Sequence, residues 1–586
     1  MKYPKIPLAQ TVISLCKAKE IEQVVISPGS RSAPLTIGFT NDPFFKCYSV
    51  VDERCAAFFA LGIAQKMRKP VALVCTSGSA LLNYFPAVAE AYYSKIPLVV
   101  LSADRPKHLI EIGDGQTIKQ PNVFGEHVHY SANLKLDLKD DLSVSNDEEI
   151  PIIKNLEHKL ERFLGLQKGI QDYNEEEIYI ALAKSILNSG PVHINVPFDE
   201  PLYETVNELS VSVDIKKIPE VKYDIDSYLI KEFVSLWESS KRKMILIGSQ
   251  QPNLIDKEWI GELAMDPSVI VFTETTSNVH HKNFFPKIDQ IIAPLDDAGF
   301  EALKPDLLLT FGGMVVSKKI KSFLRKYKPK EHWHVDPYRA YDTFFCLDNH
   351  VKVPVNTFLS ELFQSTTHHI RSNYFELWNE VRVKRNKLQK RYLENLPFTD
   401  LLVFSSILRT LPKNCVLQVG NSSAIRYTQL FNISESVEIY CNRGTSGIDG
   451  STSTAIGHAT VSKKPVVFVT GDLSFFYDSN ALWNDHISSS FRIILINNLG
   501  GGIFRILPGH KNTENFDTYF ETKHNLNAEH LCKMYNFEYT SANSVDSLEN
   551  GLHEFYKKSK TPKLLEIFTQ SELNDEVLLN LFEVIA

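Results

Sequence analysis

Short β-branched and apolar runs, each followed by a stretch with helical spacing, recur along the chain in three blocks. This alternation constrains the fold more than any other feature. In the first block the runs are residues 23–27, 48–51, 71–75, 98–102 and 192–196, with helical stretches such as 56–66 and 81–94 between them. The second block has runs at 244–248, 269–272, 307–311 and 333–335, and the third at 416–419, 438–441, 466–470, 493–497 and 564–568. Strands that alternate with helices lie parallel, and strands covered on both faces read as nearly continuous apolar runs. The expected fold is α/β, with three doubly wound parallel-sheet domains.

At 586 residues the chain is too long for one hydrophobic core. Its soft spots suggest domains at 1–205, 206–390 and 391–586. The stretch 204–223, rich in Thr, Val, Ser, Lys and Pro, reads as a linker, and 372–395 as an amphipathic helix leading into the third domain. An acidic, weakly periodic stretch at 137–177 reads as an excursion inside the first domain. The first and third blocks share an architecture without obvious sequence identity. With 43% apolar and 23% charged residues, disorder explains nothing here. A net charge of −7 argues against a general nucleic-acid or membrane-surface binder. The eight cysteines form no CxxC pair and read as reduced core residues. No apolar stretch approaches the roughly 18 residues of a membrane span, so a cytoplasmic location is expected.

Two strand ends carry the strongest chemistry. Gly471-Asp472-Leu473 closes one apolar run, and Asn497-Asn498-Leu499-Gly500 closes the next, one helix-length later. Hard oxygens at the carboxyl ends of two strands can hold a small octahedral cation that still takes phosphate and water. Glu53 stands where a strand gives way to a helix, a place the helix dipole alone favours for a carboxylate. Three first-block loops follow strands: Ser27-Pro28-Gly29-Ser30-Arg31-Ser32, Cys75-Thr76-Ser77-Gly78 and Ser102-Ala103-Asp104-Arg105. The third block adds Gly420-Asn421-Ser422-Ser423-Ala424-Ile425-Arg426 and the Gly-rich loop from Asn442-Arg443 to Gly450. Taken alone, each loop reads as a turn, four of the five with a solvated arginine. Four loop arginines (31, 105, 426 and 443) suggest a pocket for several carboxylates, because the guanidinium fork matches a carboxylate in bidentate fashion.

Other features carry less. The pair His280-His281 lies in the middle block and reads as a surface or linker feature. There is no HExxH spacing. Ile247-Gly248-Ser249-Gln250 lacks the dinucleotide fingerprint, so flavin is not expected.

The Gly-Asp…Asn-Asn pattern resembles the magnesium-diphosphate signature of thiamin-diphosphate enzymes, with Leu473 where most of them have glycine. In those enzymes a glutamate placed like Glu53 touches the aminopyrimidine ring and favours the imino tautomer, which removes the thiazolium proton. The runs SPGSRSAPLT, DERCAAFFALG, TSGSALLN, SADRP, GPVHINVPFDEPL, GNSSAIR, NRGTSGIDGSTSTAIGHA and NNLGGGIF extend the likeness over the whole chain. Together they resemble the 2-succinyl-5-enolpyruvyl-6-hydroxy-3-cyclohexene-1-carboxylate synthase family, a branch that carries Gly-Asp-Leu.

The resemblance implies decarboxylation of 2-oxoglutarate and 1,4-addition of the succinyl carbanion equivalent to isochorismate, in menaquinone biosynthesis. Those substrates bring four carboxylates between them, in keeping with the arginine count. It further implies that Glu53 activates the cofactor, and that Asp472, Asn498 and the Gly500 carbonyl hold Mg²⁺ (or Mn²⁺) on the diphosphate. Ile448 would bend the cofactor, while Leu473, Ser474, Gly501 and Ile503 would contact the diphosphate. Ser30, Arg31, Arg105, Gln116, Lys318, Ser422, Arg426 and Arg443 match the substrate-contacting positions, Lys318 with Lys319 beside it. A homodimer or homotetramer follows, with active sites at subunit interfaces, because Glu53 would serve a cofactor held by another subunit. Two alternatives stay open on the residues: a related decarboxylase or carboligase with a different acceptor, and a non-catalytic regulator of the same fold.

Overall fold

The computed structural model describes residues 1–138, 166–506, 513 and 515–586. Most of the acidic stretch at 137–177 therefore lies outside the described residues, and its last part belongs to the helix Leu166–Asn188.

Three parallel sheets form. The first runs Lys46–Ser49, Gln23–Ile26, Val71–Cys75, Leu98–Asp104, Val192–Pro197, Ser131–Asn133. The last runs Glu438–Tyr440, Val416–Val419, Val466–Gly471, Arg492–Asn497, Lys563–Phe568, Glu538–Ala542. Numbered along the chain, both sheets have the same strand order. The middle sheet is Val269–Thr273, Lys243–Ile247, Leu307–Phe311, Glu331–Val335, Asn349–Val351. In each, the chain first builds to one side of its opening strand and then to the other. Loops part at that switch point, leaving a crevice at the carboxyl ends of the strands. In the last sheet the crevice lies between Val416–Val419 and Val466–Gly471, where the Gly420 and Asp472 loops begin.

The central strands are buried along their whole length, which explains their unbroken apolar runs. Several expected bounds shift. The run at 48–51 forms Lys46–Ser49, and the strand from Leu98 extends to Asp104, so Arg105 stands directly at its end. The helical stretch expected at 81–94 is two helices, Ser79–Asn83 and Phe85–Ser94, because Pro86 opens the second and has no N–H to continue the first. Short strands at sheet edges, Ser131–Asn133, Asn349–Val351 and Glu538–Ala542, carry too little apolar pattern to stand out. The start of the linker stretch pairs with the chain's first residues, Tyr3–Pro4 against Thr205–Val206.

By contact the chain forms two compact units. One comprises Met1–Glu220 with Thr452–Ser462 and Asp478–Ile487, and the other holds the remainder, including the middle and last sheets. In the first unit the helix Glu53–Met67 meets the helical residues from Thr452 through two glycines. A Cβ on Gly62 would stand 2.0 Å from the Thr454 carbonyl oxygen, and one on Gly457 would stand 1.9 Å from that of Phe59. Only glycine permits this approach. All eight cysteines are free, six of them buried. Among the described residues no helix is long and apolar enough to cross a membrane.

Candidate active site

In the first unit, the loops after three adjacent strands converge. Gly29 packs so closely on the next loop that a Cβ would stand 2.3 Å from Thr76 Cβ. Ser77 Oγ donates to the Gln116 carbonyl at 2.9 Å, and Gly78, at φ +86°, lies against the same residue. Arg31 is buried; it donates to the Phe198 carbonyl at 3.2 Å and lies 3.4 Å from Glu200. Burial, and then the neighbouring Arg105, push its guanidinium below the usual range. Arg105 pairs with Asp114 at 3.0 Å and donates to the Gly115 carbonyl at 2.9 Å, while its Nε is buried without a partner. The structure thus brings Arg31, Arg105 and Gln116 to one end of the sheet, with Ser30 exposed on the same loop as Arg31.

A buried polar row supports these loops. Asp104 accepts the Arg105 N–H at 2.8 Å and the Asn195 amide at 2.8 Å; Gln120 donates to Asn195 and accepts the Gly78 N–H. Sequence reasoning missed Gln120 and Asn195, which are scattered singly through the chain.

Glu53 is the first residue of its helix and half-buried. Asp52 caps that helix by accepting the Cys55 N–H at 3.0 Å and also accepts from Asn480 at 2.8 Å, leaving Glu53 uninvolved in the cap. Burial pushes the Cys75 thiol and the Tyr84 hydroxyl up, and the nearby Glu53 charge adds to both.

In the second unit, Asp472 is buried at the end of Val466–Gly471. Its Oδ1 accepts the Leu473 N–H at 2.7 Å, its Oδ2 accepts the Gly500 N–H at 2.9 Å, and His524 Nε2 lies 3.3 Å from Oδ2. The turn from Asn498 is tight: Leu499 has φ 64°, and at Gly500 a Cβ would meet the Glu521 carbonyl at 2.7 Å. The Gly500 carbonyl accepts the Gly502 N–H at 3.0 Å. Asn498 donates its Nδ2 to Asp400 at 3.1 Å, which leaves Oδ1 for another partner.

This donor set fits a hard divalent cation. Asp472 is 2% exposed with no lysine or arginine paired to it among the described residues. Asp400, fully buried behind Asn498, is pushed up to about 6 by burial, and Asp472 adds to the shift. A cation there would offset two buried carboxylates. Among the described residues no cluster of three or more His, Cys, Asp and Glu side chains suits a metal. A cation here would therefore draw on an amide, a carbonyl and a ligand's own oxygens. Asp400 gave no sequence signal, because it begins a helix far from either strand end.

The other site residues of the second unit are tied together by bonds between loops. Ser474 Oγ donates to the Ile448 carbonyl at 3.0 Å, tying the helix that begins at Asp472 to the Gly-rich loop. Asn421 donates to the Asn442 and Gly447 carbonyls at 2.8 and 2.7 Å and accepts from Arg443 Nη1 at 2.7 Å. Arg426 donates to the Ser422 carbonyl at 2.6 Å; burial, then Arg443, push its guanidinium down. A cavity of about 500 Å³ is lined by Arg426, Lys318, Lys319 and Ile503 together with Ser317 and Phe582. The Lys319 ammonium rests over the Phe582 ring. Leu473 is half-buried and Gly501 buried. His281 accepts the Asn283 N–H at 3.2 Å, a local role far along the chain from these loops.

Comparison with known proteins defines the class first. Residues 6–126 match the family model "Thiamine pyrophosphate enzyme, N-terminal TPP binding domain", and residues 418–567 match "Thiamine pyrophosphate enzyme, C-terminal TPP binding domain". Proteins named 2-succinyl-5-enolpyruvyl-6-hydroxy-3-cyclohexene-1-carboxylate synthase are similar over the full length. That of Christiangramia forsetii is 53% identical, covering 99% of each chain, and that of Flavobacterium johnsoniae is 53% identical, covering 100% of each. That of Porphyromonas gingivalis is 33% identical, covering 98% of this chain and 96% of the relative. The chain belongs to this synthase family. A solved structure, benzoylformate decarboxylase from Polynucleobacter necessarius, shares the fold with TM-score 0.68 at 16% identity, covering 97% of this chain and 99% of that one.

Proposed function

We propose that this chain is a transferase that decarboxylates 2-oxoglutarate and adds the resulting succinyl unit to isochorismate. The products are 2-succinyl-5-enolpyruvyl-6-hydroxy-3-cyclohexene-1-carboxylate and CO₂, in menaquinone biosynthesis. Bound thiamin diphosphate supplies the electron sink for loss of CO₂. Asp472, Asn498 and the Gly500 carbonyl would hold Mg²⁺ or Mn²⁺ for the diphosphate, with Leu473, Ser474, Gly501 and Ile503 as its further contacts. Ile448, whose carbonyl Ser474 holds, would pack against the bound cofactor. Glu53 would hold a proton at the aminopyrimidine ring and is the one catalytic carboxylate of this reading.

Ser30, Arg31, Arg105, Gln116, Lys318, Ser422, Arg426 and Arg443 bind and orient the substrates. One observation carries this reading. Arg426 and Arg443 are half-buried and near one another, and among the described residues neither has a carboxylate within ion-pair distance, Asp289 and Glu274 acting on them only from farther off. Like charges held together out of water call for anions, and both substrates are polycarboxylates. Domains at 1–205, 206–390 and 391–586, a homodimer or homotetramer with sites at subunit interfaces, and a cytoplasmic location complete the reading.

An omission assay tests it. Isochorismate absorbance should fall only when 2-oxoglutarate, thiamin diphosphate and Mg²⁺ are all present. Release of CO₂ from 2-oxoglutarate with isochorismate untouched would assign a different acceptor.

A further inference from the structure

The strand Val269–Thr273 runs into a buried turn, residues 274–278, that touches two proposed substrate-binding segments at once. Glu274 is 2% exposed. Its two carboxylate oxygens accept the Val316 N–H at 2.9 and 2.7 Å, and one also accepts the Ser317 N–H at 2.8 Å. These residues immediately precede the helix Lys318–Lys326. Ser317 caps that helix, accepting the Ile320 N–H at 3.2 Å and donating to Asp289. The carboxylate therefore sets where Lys318 emerges.

The other end of the turn holds a different segment. Asn278, in the left-handed region at φ 51°, donates to the Ile439 carbonyl at 2.8 Å and accepts the Ile439 N–H at 2.8 Å. It pairs with the edge of the strand Glu438–Tyr440 as a neighbouring strand would. That strand leads within a few residues to Arg443. On its opposite edge it pairs with Val416–Val419, which leads to Ser422 and Arg426.

We propose that Glu274 and Asn278 are positioning residues for the substrate site, fixing the spacing between Lys318 and Arg443 so that two carboxylates are met at once. The inference rests on the substrate roles proposed above for those two cations. A purely structural role explains the carboxylate poorly. Burial pushes Glu274 up to about 7 against the pull of the Val316 and Ser317 N–H groups and Arg443, with Asp289 adding to the rise. A neutral side chain would fill the space at lower cost. What the carboxylate adds is reach to two successive N–H groups at the start of the Lys318 helix. Ligand orientation is sensitive to displacements of about 1 Å, so such a brace matters more for binding than for folding.

The test uses the full-length holoenzyme and the variants Glu274→Gln and Asn278→Gly, the latter keeping the positive φ while removing the brace. Steady-state kinetics with both substrates are read beside thiamin diphosphate affinity and melting temperature. KM for at least one substrate should rise roughly tenfold, with kcat changing less and cofactor affinity unchanged. In an Arg443→Ala or Lys318→Ala background the turn variants should add little further loss, because the cation they position is gone. Glu274→Asp, with a shorter reach, should show the same split in milder form and stands in if Glu274→Gln does not fold. Parallel, additive losses of kcat, cofactor affinity and melting temperature would overturn the inference, leaving a structural role. So would unchanged KM in the turn variants while Arg443→Ala and Lys318→Ala raise it. If those two alanine variants leave KM unaltered, the substrate roles themselves fall, and this inference with them.

Discussion

The Asp472 carboxylate accepts the Gly500 N–H at 2.9 Å, joining the end of one parallel strand to the turn that follows its neighbour. That bond holds a buried negative charge beside the Asn498 amide, whose NH₂ group is occupied by Asp400. The geometry explains why Asp and Asn sit one crossover apart in the sequence: adjacent parallel strands end side by side, and their last residues share one site.

Asp472→Asn keeps an oxygen for the Gly500 N–H but removes the charge. Metal affinity should weaken about 10–100-fold, with thiamin diphosphate affinity falling in step. Asp400→Ala, which frees the Asn498 amide to rotate, should weaken metal binding in the same range without touching the metal itself. Calorimetric titration of Mg²⁺ into cofactor-loaded protein checks both; unchanged affinity in Asp472→Asn would move the metal elsewhere.

Glu53→Gln and Arg443→Ala separate chemistry from substrate binding. The first should lower kcat by about 10²–10⁴-fold while cofactor affinity stays within a few-fold. The second should cost about 2 kcal/mol or more in kcat/KM, roughly thirtyfold, again with cofactor affinity preserved. Equal loss of cofactor affinity and activity in Arg443→Ala would contradict its assignment to substrate.

Gly62→Ala and Gly457→Ala each push a methyl group into a backbone carbonyl of the facing helix, at 2.0 and 1.9 Å. Neither atom is the flexible end of a side chain, so the helices must separate. Each variant should lose about 2–3 kcal/mol of stability, seen as a lower melting temperature. Melting unchanged in both would mean that the helices part without cost.

Asp478 gives a pH test. It is fully buried and pushed up to about 7, chiefly by burial, against donation from the Ser453 N–H at 2.7 Å and hydroxyl at 2.9 Å and the Arg54 guanidinium at 3.6 Å. The unfolded chain ionises this group near its ordinary value, while the folded chain keeps it protonated up to about 7. Its stabilising contribution is therefore complete below the ordinary carboxylate range and is lost as pH rises to about 7. Asp478→Asn should remove that dependence, so the melting-temperature advantage of the native chain over the variant should shrink from pH 4 to pH 7. An advantage that grows over that interval would contradict the sign.

The parts legible in the sequence are those written locally. Strands buried on both faces announce themselves as apolar runs, and Asp472, Asn498 and the loop arginines lie at the ends of those runs. Pro86 splits the helical stretch at 81–94 although the apolar spacing continues across it. The edge strand Ser131–Asn133 is three residues long and Asn349–Val351 likewise, too short for a period to show. Glu274 and Asp400 were illegible for another reason. Their roles come from bonds to Val316 and Asn498, residues far away in sequence, and nothing in the flanking residues marks a carboxylate that will be buried.

The most direct measurement follows label through turnover. Purified protein with thiamin diphosphate, Mg²⁺, isochorismate and uniformly ¹³C-labelled 2-oxoglutarate is sampled for product mass and for ¹³CO₂. The product should contain the isochorismate skeleton plus every labelled carbon except the one released as ¹³CO₂. Labelled CO₂ appearing with no such product, or no turnover with cofactor bound, would contradict the proposed function.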